Sequence, residues 1–427
     1  MTSRSVVLGT AIALTVAAPA AAQAPFSAPT AVGGFGAQVQ LAGTSSLAVT
    51  AEGRSVLAGS GDTANVRFPV AAFGSPGDVP RVGRSLSAPG VITSQPVVAA
   101  EGRVAAVVWG AGHTAYLRVA TDGRWGQPIA VGRSRLKPQP AVAIQPATGR
   151  ITVLWRGSSR RGNRLQWRIT TGGKLGRTHT LGEFGNDPRI GTDRSGKTIA
   201  VWTPYSVTTR GVRTAARRVG EFTKPMSITT AQAQDVRLDV GADGEAIAAW
   251  RTPSEGGADV QAPRGTPTWS TRTANTAFSR PQQVAGVADA STLSLDRGAT
   301  GAAVLAFDRQ TDDLTATVSA VFRPAPGRPF GAVQALGTPG FVAAPGASAA
   351  VDDRGVATVA WGASVLSGQT GEPGLYAARS TPAGAFGAPQ RIDAAAVRAP
   401  VLAAAGGSTT LLAWVGEGGV RVARAAP

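Results

Sequence analysis

The chain has 427 residues, with 55 Gly, 29 Pro and no Cys, and it is 43% hydrophobic against 16% charged. That is too apolar for a disordered chain and too long for a stapled mini-domain. The lack of Cys excludes disulfides, thiolate nucleophiles, Cys-ligated metals and iron–sulfur clusters.

Residues 1–5 carry one basic side chain, Arg4, and residues 6–22 form an apolar run of small residues, VVLGTAIALTVAAPAAA. The run ends in Ala20-Ala21-Ala22, a small-residue cleavage pattern, so residues 1–22 read as a secretory signal peptide. Residues 23–427 are then expected to form one secreted domain outside the cytoplasm. No later stretch reaches the roughly 18 unbroken apolar residues of a membrane helix.

Beyond the leader, Gly and Pro punctuate short runs rich in Val, Ala and Thr, with no collagen period and no long run of helix formers. One pattern recurs: an alternating strand, a polar or Gly turn, a second strand and a terminal aromatic. A shortened copy, SLAVTAEGRSVLAG, spans 46–59. It is followed by QPVVAAEGRVAAVVW ending at Trp109, QPAVAIQPATGRITVLW at Trp155, DPRIGTDRSGKTIAVW at Trp202 and VRLDVGADGEAIAAW at Trp250. The later copies are LSLDRGATGAAVLAF at Phe307, ASAAVDDRGVATVAW at Trp361 and APVLAAAGGSTTLLAW at Trp414. A second hairpin follows most copies, as in LRVATDGRWGQPIAV at 117–131 and YAARSTPAGAFGAPQRI at 376–392.

Four strands per roughly 50 residues, repeated along the chain, are the signature of propeller blades. The expected fold is an all-β propeller of four-stranded blades. Eight blades are counted, with seven as the alternative because the first copy is degenerate. The last copy stops after its third strand, and GGFGAQVQLAG at 33–43 matches GAFGAPQRI at 384–392. An N-terminal strand at 33–43 is therefore expected to complete the last blade and remove its open edge. With strands labelled A to D from the axis outward, B–C loops and D–A connectors share one face. The long B–C loops, near 155–163, 203–211, 251–270 and 362–374, make that face the expected seat of function.

The net charge of +17 is concentrated: residues 118–218 hold 20 basic and four acidic residues, whereas the remainder holds 22 and 21. Arg133, Arg135, Lys137, Arg156, Arg160, Arg161, Arg164, Arg210 and Arg213 fall on or near the expected loop face. Planar guanidinium forks suit carboxylate, sulfate and phosphate, so these nine residues are the expected anion-binding set.

Other chemistry is sparse. His113 and His179 share no metal-ligand spacing, and no metal or cofactor is expected. GTDRSGKT at 191–198 matches a phosphate-loop pattern but runs into the strand TIAVW instead of a helix, so it is read as a turn. Asp312-Asp313, Asp352-Asp353, Asp193 and Asp243 read as turn formers.

The Asp-x-x-Gly turn followed by a strand ending in Trp, at 193–202 and 352–361, resembles the repeats of secreted bacterial β-propellers and loosely the Asp-box turn of sialidase-like propellers. Trp lies six residues after Gly, which departs from the Asp-box order. The resemblance implies a propeller but no catalytic residue. Pro188-Arg189-Ile190-Gly191 only faintly matches the sialidase Arg-Ile-Pro signature, and Tyr116, Tyr205 and Tyr376 have no motif that selects one as nucleophile. The expected function is a secreted, non-enzymatic, monomeric binding scaffold. Its partner would be an anionic envelope polymer, an acidic polysaccharide or a protein, with nucleic acid disfavoured. The alternative is a carbohydrate-active enzyme, hydrolase or lyase, with its site at the central mouth.

Overall fold

The computed structural model describes residues 26–425 apart from internal stretches, the longest being 36–40, 87–91, 205–209, 254–263, 311–315 and 365–371. The expected signal peptide, Arg160, Arg161, Tyr205 and Asp312-Asp313 lie outside the described residues. Those described are all-β, with antiparallel strands, one short 3-10 turn at Gly43–Ser46 and no α-helix.

The strands fall into four-stranded antiparallel sets that follow the sequence repeat. We number the sets as units by their B strands: Ser55–Thr63, Val104–Ala111, Ile151–Ser159, Thr198–Pro204, Ala246–Pro253, Ala303–Gln310, Ala357–Ser364 and Thr410–Gly416 mark units 1 to 8. Units 5 and 6 are joined into one larger sheet through the pair Gly265 and Ala290. In the last unit the fourth strand comes from the other end of the chain: Thr30–Val32 pairs with Gly419–Arg424, Thr30 opposite Val422. The pairing therefore falls just before the expected 33–43. The chain turns at Gly33-Gly34, where Gly34 has a φ of 81°, and Gly33 exchanges backbone hydrogen bonds with the segment around Arg81 and Gly83 in unit 1.

The aromatic near the end of each B strand packs against the preceding unit. Trp155 lies among Ala106, Val108, Leu117 and Val131 of unit 2. Trp202 lies among Leu154, Leu165 and Trp167 of unit 3, and Trp414 among Ala360, Leu375 and Ala377 of unit 7. A small sheet cannot hide both faces alone, and a ring buried between two sheets removes apolar area from each. Unit 1 has no such aromatic. Its Leu57 and Val70 share a cluster with Leu411, Ala413 and Val422 of unit 8. The A strand of each unit lies against that of the next, and Arg398–Ala404 of unit 8 lies against Leu47–Val49 of unit 1.

The A–B turns explain the repeated Asp and Gly. In unit 4 the Asp193 carboxylate accepts hydrogen bonds from Ser195 Oγ (2.7 Å) and from the Lys197 amide (2.8 Å), and Gly196 takes a φ of 85°. Asp352 does the same for the amides of Arg354 and Val356, before Gly355 at 79°. Asp243 differs: it directly precedes Gly244, and Gly241 occupies the position equivalent to Asp193. The GTDRSGKT segment is thus an A–B turn followed by strand Thr198–Pro204, with its Lys197 ammonium on the Ala274 carbonyl.

Candidate functional site

The end of the units formed by B–C loops and D–A connectors carries most of the expected anion-binding residues. Arg133 closes the D strand Ile129–Arg133 of unit 2, and Arg135 and Lys137 follow on the connector to unit 3. All three are exposed, and none is paired with a carboxylate among the described residues. The Arg135 amide donates to Ser158 Oγ at 2.6 Å, which ties the connector to unit 3.

Two residues expected on a loop are strand residues. The alternation of unit 3 continues past Trp155, and Ile151–Ser159 pairs with Gly162–Thr171 up to Ser159 opposite Gly162. Arg156 is therefore buried, opposite Leu165, and Arg164 is half-buried opposite Gly157. The Arg156 guanidinium donates to the Lys137 carbonyl from Nε (3.1 Å) and Nη2 (2.5 Å) and to Asn186 Oδ1 from Nη1 (2.7 Å). It fixes the connector rather than offering a free fork. Arg156→Ser is expected to destabilise the protein by about 1–3 kcal/mol in urea unfolding, because buried acceptors lose a charged donor. Arg210 is exposed, whereas Arg213 sits half-buried on strand Val212–Arg217 opposite Trp202.

The four acids of the basic stretch are unevenly placed. Asp122 and Asp193 occupy turns at the opposite end, and Glu183 lies outside the described residues. Asp187, exposed and held at a φ of 47°, is the one described acid of the stretch at the connector end.

A cleft of about 500 Å³ opens there between units 4 and 5. Asn186, Asp187, Arg210, Gln232, Gln234 and Asp235 are among its polar lining residues. Gly211 forms part of the wall. Its φ is 101°, and a Cβ there would sit 1.8 Å from the Thr229 carbonyl oxygen, so only glycine lets strands C and D meet beside the cleft.

From the cleft, charged side chains continue along the A strands. An A strand has one unpaired edge, and here the side chains of the preceding A strand cover it. In Gln234–Val240, Asp235, Arg237 and Asp239 alternate and share one face. Asp235 accepts from the Leu293 amide at 2.8 Å, Arg237 Nε donates to the Leu293 carbonyl at 2.9 Å, and the two side chains pair at 2.6 Å. Asp239 accepts from the Arg297 amide at 3.1 Å, and Asp296 from the Val351 amide at 2.6 Å. Arg189 donates to the Val236 carbonyl at 3.1 Å, and burial with the neighbouring Arg237 charge pulls its pKa down to about 10. The Asp239 and Asp296 carboxyls hydrogen-bond to each other. Burial pushes Asp239 up to about 6, against the attraction of Arg297, and burial with the Asp239 charge raises Asp296 well above the ordinary carboxylate range.

Asp235, Arg237, Asp239 and Asp296 are not among the residues that the sequence singles out, and Arg189 enters it only through a faint match to a sialidase signature. The available signal was QDVRLDV, three charges at every second position in a strand whose equivalents, SAAV and AVAI, are small and apolar. The sequence places nine of the 20 basic residues of 118–218 on or near one face and leaves the others unplaced. In the structure the excess divides between two ends, because Arg150, Lys174, Arg177, Arg194 and Lys197 lie in or beside A–B and C–D turns. His179 stacks on Trp167 with ring centroids 4.2 Å apart and bonds Glu221 through Nδ1, while His113 lies in the hairpin between strands B and C of unit 2. Tyr116 stacks on Trp109, and Tyr376 on Trp361 with its hydroxyl on the Glu372 carbonyl. Arg189 is separated from both tyrosines by its place on the A strand of unit 4. Among the described residues no cluster of three or more His, Asp or Glu is arranged to hold a metal ion.

No family model matches the chain, and no curated protein matches it. Among solved structures it is similar to an ulvan lyase of a polysaccharide lyase family bound to -[GlcA(1-4)Rha3S]-, at 13% identity over 79% of this chain and 93% of that one, TM-score 0.49. A prolyl endopeptidase is 14% identical over 92% of this chain and 54% of its own, TM-score 0.47. A protein of unknown function from Dyadobacter fermentans DSM 18053 is 13% identical over 73% and 98%, TM-score 0.39.

Proposed function

We propose that the chain is a secreted eight-bladed β-propeller that binds an anionic polymer, such as an acidic polysaccharide, on its connector face. The propeller reading is supported by the ring of A-strand contacts that returns from unit 8 to unit 1 and by the N-terminal strand on unit 8. The binding reading rests on one observation. Arg133, Arg135, Lys137 and Arg210 stand exposed at the connector end, without carboxylate partners among the described residues, and Arg210 lines a polar cleft there whose acids are Asp187 and Asp235. Such a field concentrates polyanions and orients their carboxylate or sulfate groups on guanidinium forks.

The test is affinity for a sulfated polysaccharide across a salt series. Binding should weaken steeply with salt, and the combined change Arg133→Ser, Arg135→Ser, Lys137→Ser and Arg210→Ser should lower the log–log slope by about one per cation removed. These side chains lie outside the core, so the unfolding temperature should stay within a few degrees. Salt-independent binding, or a slope unchanged in the variant, would sink the proposal. A second reading, a carbohydrate-active enzyme, has one observation in its favour: the cleft brings Asp187 and Asp235 beside Arg210. It requires glycan turnover that Asp187→Asn abolishes while binding persists.

A further inference from the structure

The opposite end of the molecule holds a larger groove. The turns of units 1 and 2 border a space of about 770 Å³ lined by Arg54, Arg81, Arg84, Arg118 and Arg124, with Phe73 and Trp125 in its wall. Asp78 and Asp122 are its acids. Asp122 is already engaged: Arg103 holds both its oxygens and Arg54 lies 3.4 Å away. Asp78 is only loosely approached by Arg81, at 3.9 Å, with both side chains mostly exposed. Arg118 is anchored by backbone acceptors, the Gly126 carbonyl at 2.6 Å and the Ser85 carbonyl at 3.1 Å, and meets no carboxylate among the described residues. Arg84 and Arg124 are exposed and likewise unpaired with any described carboxylate. The groove therefore carries a surplus of guanidinium groups, with Arg118 held in place by its backbone acceptors.

Its wall is fixed. Gly123, at a φ of 74°, sets the turn that bears Asp122, Arg124 and Trp125 so close that a Cβ there would lie 3.1 Å from the Phe73 ring. Phe73 and Trp125 are half-buried in the cluster between units 1 and 2. They offer an apolar floor rather than a projecting ring, which suits the C–H face of a sugar better than a base sandwiched between aromatics. The space is also far larger than one ion requires.

We propose that this groove binds an acidic oligosaccharide, with a carboxylate or sulfate held among Arg84, Arg118 and Arg124 and a sugar ring against Trp125. The site is independent of the connector face: it uses other residues, on other turns, at the other end of the units.

The experiment titrates the full chain with a sulfated, uronate-containing hexasaccharide by calorimetry. The expected result is two classes of site. Arg84→Ser with Arg124→Ser should weaken one class by about tenfold and leave the other, as should Trp125→Leu, whereas Trp125→Phe should retain most of the affinity. The connector-face variant should show the converse. Unchanged titration of the Arg84 and Arg124 variant would overturn this proposal and leave the connector-face reading standing. Loss of all binding in the connector-face variant alone would do the same. Full competition by inorganic sulfate at millimolar concentration would reduce the groove to an ion site. Tighter binding of a single-stranded oligonucleotide of equal charge would replace the oligosaccharide as occupant, and either result refutes the proposal as stated.

Discussion

Replacing Glu245 with Ala is expected to lower the stability of the protein by about 3–5 kcal/mol, because it removes one partner of a buried ion pair. Glu245 directly precedes the B strand of unit 5 and reaches into unit 6. Its carboxylate accepts Arg323 Nη1 and Nη2 at 2.9 and 2.8 Å and Arg297 Nε at 3.1 Å. The three side chains are 6%, 0% and 2% exposed, so removing the anion strands two guanidinium groups away from water. Burial by itself would raise the Glu245 pKa. The hydrogen bonds and charges of Arg323 and Arg297 outweigh it and hold the carboxyl below its ordinary range. Arg297 also bonds the half-exposed Asp243 at 2.5 Å and attracts Asp239, and Arg323 bonds the Gly301 carbonyl at 2.9 Å, but none of these replaces the carboxylate that the two guanidinium groups share. Urea unfolding of Glu245→Ala measures the loss. Replacing Glu245, Arg297 and Arg323 together with Leu or Met should recover much of it, because an apolar cluster of similar volume carries no desolvation cost. A loss below about 1 kcal/mol in the single variant would mean that water reaches the network.

Glu245 shows where the sequence was legible and where it was not. The Trp and Phe anchors repeat at 46 to 57 residues, and each is buried against the preceding unit, so period and aromatic identity alone located the sheets and their order. Burial of a large ring depends on local alternation, which a single chain displays. The N-terminal strand expected at 33–43 pairs at Thr30–Val32 instead, because Gly33-Gly34 looks like the start of a strand and acts as the turn that ends one. Partners across units leave no such trace. Arg156 and Arg210 are the same letter, yet the first is spent on the Lys137 carbonyl and Asn186 while the second faces solvent. The groove between units 1 and 2 was invisible for a related reason. Arg54, Arg81 and Arg84 belong to a part of the chain whose charges nearly cancel, and only folding sets them beside Arg118 and Arg124.

Stability should also fall as pH rises through about 6, and Asp296→Asn should flatten that fall. Asp239 and Asp296 face each other from the A strands of units 5 and 6, and both carboxyls titrate above their ordinary range, Asp239 because of burial and Asp296 because of burial and the Asp239 charge beside it. A folded-state pKa above the unfolded one means that the folded protein binds more protons between the two values. The stabilisation is complete below about pH 4 and is lost as pH rises through the folded pKa, which is about 6 for Asp239 and raised for Asp296 as well. The expected loss is on the order of 2 kcal/mol between pH 5 and 8. Carboxyls held low, such as Glu245 and Asp393, work in the opposite sense and lose their contribution only in acid, so they add no slope between pH 5 and 8. Asn at position 296 can still accept the Val351 amide through its carbonyl, and its amide donates permanently to the Asp239 carboxylate, as the shared proton does at low pH. The variant should match the wild type near pH 5 and exceed it at pH 8 in thermal unfolding. Parallel curves across that range would mean that the pair ionises freely toward solvent. In that case the A strands of units 5 and 6 would be held by their backbone caps alone.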